Sequence, residues 1–210
     1  MPRRPSLTHL QLASAALDVV DRDGLAGLTM RAVATQLGVS TMGLYRYVQD
    51  RDELEALVVE TVLGEIDTDQ PGPGDAASWQ EQLTVMARRL RAAVGTHPST
   101  VPLALTRRYR STAIMRWSET VLAILAGAGI DGERRVIALR SLLAYAIGAI
   151  QLEHLGGPSG LDALATAPIP GPVASSEFPF LADSAAVAAA VSRDDEFVGG
   201  VALLLDGLTP

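Results

Sequence analysis

The spacing of the apolar residues constrains the fold of this chain more than any other feature. They recur at intervals of three and four positions, which gathers them on one face of an α-helix. Alternation of apolar and polar residues, the mark of a half-buried strand, is scarce. Because 48% of the 210 residues are hydrophobic, the chain can bury a sizeable core. The sequence therefore predicts an all-α protein.

Capping residues and glycines divide this pattern into separate helices. Thr8 and Gln11 fit a capping box, Gly24 is able to end the first helix, and Thr29 is a good N-cap for the second. The first helix should bury one stripe of Leu10, Ala13, Leu17 and Val20. Later helices are predicted over residues 41–47, 51–66, 77–94, 98–105, 111–128, 132–155, 184–192 and 194–207.

Two segments rich in glycine and proline interrupt the helices. Residues 67–76 predict a loop and residues 156–180 a longer, mobile one. We therefore expect an N-terminal three-helix domain over residues 1–51, a connecting helix over 51–66, and a larger helical domain over 67–210.

The segment from Leu28 to Leu54 predicts a function. Two short helices flank a Gly-Val-Ser turn, which is the spacing of a helix-turn-helix whose second helix enters the DNA major groove. In that second helix Leu44 and Val48 lie four positions apart and should face the core. The outward side then carries Met42, Gly43 and Arg46, flanked by Tyr45 and Tyr47.

The chemistry of that outward side suits a DNA duplex. Tyrosine hydroxyls and the amides at a helix N-terminus can bind phosphate oxygens. Thr41 or Arg46 could reach base edges, and Arg31 is well placed to reach the DNA beside them. The net charge is −7, but residues 1–51 hold six arginines against four acids, so the basic bias is local to this part.

These residues resemble the DNA-binding pattern of the TetR family of bacterial transcription regulators over about residues 8–56. The matching positions, spacing included, are Thr29, Arg31, Ala34, Gly38, Val39, Ser40, Leu44, Tyr45, Val48, Arg51 and Leu54. The resemblance implies that one group would hold the phosphate backbone: Thr29, Ser40, Tyr45, Tyr47 and Arg51. It implies that another would lie nearest the bases: Arg31, Thr41, Met42 and Gly43. Arg51 stands where many members have lysine, and it keeps the charge.

A regulator that reads two half-sites about 34–36 Å apart needs a dimer surface. The predicted helix over 132–155 is apolar on more than one face, and the tail EFVGGVALLLDGL resembles the end of tetracycline-repressor-type sensing domains. Two such helices from each subunit could pair as a four-helix bundle. The candidate contacts are Leu139, Leu143, Ile147, Phe197, Val201 and Leu204. The alternative is that these side chains fill an intramolecular core.

The family resemblance also implies an apolar effector pocket with a few polar groups among the middle helices. Candidate lining residues are Leu103, Tyr109, Trp117, Tyr145 and His154, although ordinary packing would also explain each of them. The arginines at 107, 108 and 110 could bind an acidic ligand or form a solvated charged face.

Other classes of protein find little support. The absence of cysteine excludes disulfides, thiolate zinc sites and cysteine nucleophiles, and three histidines give no metal-ligand spacing. No nucleophile elbow or glycine-rich phosphate loop indicates an enzyme, so we expect no cofactor. Without a signal peptide or a long uninterrupted apolar segment, a cytoplasmic protein without a membrane partner is expected.

The sequence therefore predicts a homodimeric repressor that a small-molecule effector releases from palindromic operator DNA. The alternative is a dimeric helical ligand-binding or interaction module with little DNA binding.

Overall fold

A computed structural model of the chain describes residues 7–72, 74, 78–155, 177–188 and 190–208. These residues form helices joined by turns and contain no strand, which confirms the predicted all-α class. Short 3-10 turns lie on either side of α6, at Pro98–Thr100 and Arg108–Arg110. The α-helices are α1 His9–Gly27, α2 Met30–Gln36, α3 Thr41–Leu44, α4 Arg51–Gly64, α5 Trp79–Thr96, α6 Val101–Arg107, α7 Thr112–Gly127, α8 Gly132–Leu155, α9 Pro179–Ala188 and α10 Arg193–Asp206.

Helix α1 begins as predicted but packs differently in its first turn. The capping box is present: the Gln11 amide donates to Thr8 Oγ1 across 3.2 Å, and the Thr8 amide donates to Gln11 Oε1 across 3.0 Å. Leu10, expected in the buried stripe, is 76% exposed because residues 8–11 all lie beyond the core. Gly24 has the expected positive φ of 71°, and one further helical turn follows it to Gly27.

The N-terminal helices surround a small core that α4 shares with the rest of the chain. Leu12, Leu28, Leu44 and Leu54 are fully buried in it. Helix α4 packs against α1 on one side and against α5, α6 and α7 on the other. Because α4 is one continuous helix that packs against both the N-terminal helices and α5, α6 and α7, its position affects the orientation of the N-terminal helices.

Helices α5, α6, α7, α8 and α10 form the larger core. Trp117 is fully buried there and donates its indole N–H to the Met86 carbonyl across 2.8 Å. In the part of the chain that the structure describes, α8 is the one helix long and apolar enough to cross a membrane by length and composition. It packs against α5, α6, α7 and α10, yet Val136, Ile137 and Leu152 stay exposed. These three side chains are therefore accessible to a partner.

The remaining predicted segments fall at similar places. The last helix runs from Arg193 to Asp206 behind the Ser192 cap, and the helix before it covers Pro179–Ala188 rather than 184–192. Most of the predicted mobile loop, residues 156–176, lies outside the described residues.

Candidate DNA-binding surface and effector site

Helix α3 is short, and its two ends are fixed by local chemistry. Gly38 turns the chain with a φ of 66°, which a glycine adopts at little steric cost. The Gly43 amide then donates to the Ser40 hydroxyl across 3.0 Å and caps the helix. The helix ends at Leu44, three residues earlier than predicted, and a turn continues it to Tyr47.

Burial on one side of this segment determines what the other side presents. Leu44 and Val48 are buried, as their spacing predicted. Met42 is 77% exposed, Tyr45 is 47% exposed, and Arg46 is also exposed. The segment therefore offers a thioether, a phenol and a guanidinium to solvent, with the half-buried Thr41 and Gly43 beside them.

The hydroxyls of Thr29 and Ser40 cap α2 and α3 by accepting hydrogen bonds from backbone amides. The Ala32 amide donates to Thr29 Oγ1 across 3.1 Å, and the Gly43 amide donates to Ser40. A hydroxyl that accepts an amide still carries its own proton. Both side chains can therefore cap a helix and donate to a phosphate oxygen at the same time. Arg31, in the first turn of α2, is exposed.

Two further residues expected at phosphates, Tyr47 and Arg51, also have partners inside the chain. The half-buried Tyr47 accepts a hydrogen bond from the Leu7 amide at 3.3 Å. Arg51 donates from Nε to Glu55 Oε1 across 2.8 Å and from Nη2 to the Leu25 carbonyl across 3.1 Å. A DNA phosphate would therefore have to compete with Glu55 and the Leu25 carbonyl for the guanidinium of Arg51.

An ion-pair network that sequence reasoning missed connects α6 to α4. Arg107 pairs with Asp52 at 2.7 Å and with Glu55 at 2.6 Å, and Glu55 also holds Arg51. The pKa of Arg107 is raised, first by its hydrogen bond to Asp52. More than fifty positions separate the partners along the chain, so no local pattern indicates the contact. From the sequence, this arginine was expected in a site for an acidic ligand or on a solvated charged face.

A small void lies where α4, α5, α6, α7 and α8 meet. Its volume is about 10 Å³, which leaves room for no more than one water molecule. The walls are apolar apart from Arg108, and they include Leu63 of α4 and Leu105 of α6. A small molecule could enter only if these helices moved apart.

A larger cavity of about 270 Å³ lies between α5, α8 and α10, and Tyr145, Leu152 and Phe197 line it. On its wall Arg91 donates to both oxygens of Glu153, at 2.9 and 3.2 Å, and stacks 4.8 Å above the Phe197 ring centroid. This hydrogen bonding holds the pKa of Glu153 below its ordinary value. Burial raises the pKa of Tyr145, whose hydroxyl donates to backbone carbonyls of α10. This cavity contacts neither α4 nor α6.

Comparison with known families decides the identity. Residues 12–56 match the model of "bacterial regulatory proteins, tetR family", and residues 70–210 match that of the "tetracyclin repressor-like, C-terminal domain". The chain belongs to the TetR family. It is a helix-turn-helix regulator, as the sequence predicted, and regulators of this family are generally non-enzymatic, soluble and typically cytoplasmic.

Individual relatives of this chain support its assignment to the TetR family. The chain is 32% identical over 146 residues to the transcriptional repressor DrrR1 of Streptomyces coeruleorubidus, covering 70% of this chain and 53% of that protein. It is 33% identical over 153 residues to a transcriptional regulator of Saccharopolyspora erythraea, covering 72% of this chain and 63% of that regulator. The chain thus spans less than two thirds of both relatives.

Among solved structures of the TetR family, ActR of Streptomyces coelicolor superimposes closely. Its ligand-free form has a TM-score of 0.81 at 26% identity, covering 99% of this chain and 97% of ActR. Its complex with actinorhodin has a TM-score of 0.78 at 28% identity, covering 97% of each chain. The two forms show that a regulator with this fold can hold a small molecule.

The five residues expected to line a TetR-type pocket do not lie together. Leu103 and Trp117 are buried in the core, Tyr109 is exposed on the surface, and Tyr145 lines the 270 Å³ cavity. His154 lies against Gly95 and Glu153 and lines neither cavity. The structure does not bring the five side chains to one cavity, because helical periodicity shows which face is buried but not which helices meet there.

The six residues expected at the dimer contact are also not all on the surface. Phe197 and Val201 are buried inside the subunit, at 2% and 0% exposure, so they offer no surface to a partner. Leu143 and Ile147 line the void, and like Leu139 and Leu204 they are half-buried. The structure therefore places two of the six, Phe197 and Val201, in the core of the subunit, and the other four keep some exposed surface. Among the described residues, the large apolar side chains left exposed on α8 and α10 are Val136, Ile137, Leu152 and Leu203.

Proposed function

We propose that this TetR-family regulator is a repressor that binds a palindromic operator as a homodimer and leaves it when a small molecule binds. The observation that carries the proposal is the one-sided burial of α3, with Leu44 inside and Tyr45 and Arg46 outside. The name of DrrR1 and the actinorhodin complex of ActR support repression and effector control.

We assign the DNA contacts by side-chain chemistry. Exposed arginines can form paired hydrogen bonds with guanine in the major groove, so Arg31 and Arg46 are assigned to base edges, with Thr41, Met42 and Gly43 close to them. Hydroxyls and a further guanidinium suit phosphate oxygens, and these contacts set the register of the protein on the duplex. They are assigned to Thr29, Ser40, Tyr45, Tyr47 and Arg51.

We place the dimer contact on the open faces of α8 and α10. Leu203 is 77% exposed, and Ile137 and Leu152 extend the apolar surface along α8. We take these side chains as parts of one apolar patch, the kind of surface that a partner covers. Two copies paired there would form a four-helix bundle and hold two α3 helices at a fixed separation.

We place the effector, a mainly apolar small molecule, at the void between α4 and α6. A ligand there would contact Leu63 and Leu105 and would need more room than the closed form gives. It would therefore bind a conformation with α4 and α6 further apart more tightly than the closed one. This difference in affinity is what allows a ligand to shift a conformational equilibrium.

The test begins with DNA fragments selected from the host's genomic DNA by the purified full-length protein. Fluorescence anisotropy then compares the selected fragment with a scrambled duplex of equal length and composition. We expect the selected fragment to bind at least about 1000-fold more tightly at moderate salt, within the usual range of specific regulators. Equal affinity for the two duplexes would favour the alternative of an interaction module with little DNA binding.

A further inference from the structure

One carboxylate at the junction of α4 and α6 is shared between two arginines. Glu55 has a side chain only 12% exposed, and its two oxygens accept from different guanidiniums: Oε1 from Arg51 at 2.8 Å and Oε2 from Arg107 at 2.6 Å. A largely buried carboxylate is costly unless a cation compensates it. Glu55 therefore always needs one of these arginines, but it does not need both.

The two arginines differ in what else they can bind. Arg51 is the first residue of α4, its side chain is 47% exposed, and it is one of the residues assigned to phosphate. Arg107 lies on the other side of the carboxylate, on α6, where it also pairs with Asp52 at 2.7 Å. Arg51, which also donates to the Leu25 carbonyl, is therefore the one of the two assigned to exchange its contact with Glu55 for one with DNA.

We propose that Arg107 is a positioning residue for DNA binding, which frees Arg51 for the phosphate backbone by compensating Glu55 and Asp52. While Arg107 is in place, Glu55 stays paired when Arg51 moves to a phosphate. When Arg107 is withdrawn, Glu55 retains Arg51, and Asp52 is left as an uncompensated acid in the first turn of α4. The inference rests on the proposed function, because it assumes that the chain binds an operator through Arg51.

The position of Arg107 on α6 would link this exchange to the effector. Leu105 and Arg108, on either side of it, line the void between α4 and α6. A displacement of α6 large enough to open the void would move Arg107 away from Glu55. DNA affinity would then fall through loss of a phosphate contact, in addition to any change in the separation of the two α3 helices.

The salt dependence of binding to the selected fragment measures this exchange directly. Each phosphate contact contributes about 0.9 to the slope of log affinity against log salt on duplex DNA. We expect Arg107→Gln to weaken binding about tenfold and to lower the slope by about one contact. Glu55→Gln alone should not lower the slope, and the double variant should regain the wild-type slope because no carboxylate then retains Arg51.

Two further variants separate this mechanism from general charge effects. Arg51→Gln should lower the slope by the same amount, and adding Arg107→Gln to it should lower the slope no further. Arg116→Gln, an exposed arginine of α7, removes the same charge elsewhere and should leave the slope unchanged. Thermal melting followed by circular dichroism checks that each variant is folded.

The outcomes distinguish two failures. If the wild-type protein does not discriminate the selected fragment from the scrambled duplex, the proposed function fails and this inference fails with it. If the wild type discriminates but Arg107→Gln keeps the full slope, or Glu55→Gln does not restore it, this inference alone is wrong.

Discussion

Leu44 and Tyr45 are neighbours in sequence with opposite environments: Leu44 is fully buried, and Tyr45 is 47% exposed. Because adjacent helical residues point about 100° apart, burial of one determines the direction of the other. This relationship separates the contribution of α3 to stability from its contribution to binding.

Tyr45→Phe should weaken operator binding without unfolding the protein. The change removes one hydroxyl from an exposed side chain, and a hydrogen bond to a charged phosphate is worth about 1.5–3 kcal/mol. Anisotropy titration should therefore show a loss of roughly tenfold or more, with an unchanged melting temperature. Leu44→Ala is the contrast, because it should cost about 2–5 kcal/mol of stability. Wild-type affinity in Tyr45→Phe would remove Tyr45 from the proposed contacts.

Gly43→Ala should lower operator affinity with little effect on stability. A Cβ at this position would lie 3.2 Å from Ser40 Oγ, so it would crowd the cap and the outward surface together. The gain of about 1 kcal/mol in helix propensity from alanine offsets part of the crowding. Gly127→Ala at the end of α7, where a Cβ meets nothing within 4 Å, is the matched control for DNA binding. If both variants bind the operator equally well, Gly43 does not lie close to the DNA.

Leu203→Glu should convert the proposed dimer to a monomer that remains folded. A carboxylate on the open face of α10 would have to lose its hydration in the interface, which is costly without a paired cation. Sedimentation velocity at several concentrations measures the result. Leu10→Glu is an equally exposed control, at 76% against 77%, on α1. A dimer that persists in Leu203→Glu would place the interface elsewhere.

The ion pair between Arg91 and Glu153 should make part of the stability depend on pH. Hydrogen bonding from Arg91 lowers the pKa of Glu153 in the folded chain below the ordinary 4.5. The folded state therefore binds this proton less readily than the unfolded state does. The contribution of the ion pair to the free energy of unfolding is fully present above the pKa of Glu153 in the unfolded chain. It is lost as the pH falls through the lower pKa of Glu153 in the folded chain.

The variant Glu153→Gln isolates that contribution. Near neutral pH the free energy of unfolding of the wild type should exceed that of Glu153→Gln by about 1–2 kcal/mol, since both side chains of the pair are largely shielded from solvent. The difference should shrink as the pH is lowered through 4.5 and below. Chemical denaturation at several pH values measures it. A difference that stays constant from neutral to acid pH would show that the ion pair has no such role.

The sequence contains the local part of the candidate site because that chemistry spans only a few residues. The Thr8 and Ser40 caps, the positive φ of Gly38, and the burial of Leu44 and Val48 all follow from neighbours within about one or two helical turns. Periodicity also predicted α8 with its observed bounds, Gly132–Leu155. It could not show that Leu10 lies in a turn beyond the core.

By itself, then, the sequence determined the helices, their caps and the outward side of α3, because short-range hydrogen bonds and helical phase depend on nearby residues. Only the tertiary structure decided which helices meet. It buried Phe197 and Val201 within the subunit, turned Leu143 toward the void, and brought Arg107 to Glu55 across 52 positions of the chain. Such contacts depend on the packing of whole helices, and no local pattern of residues encodes that packing.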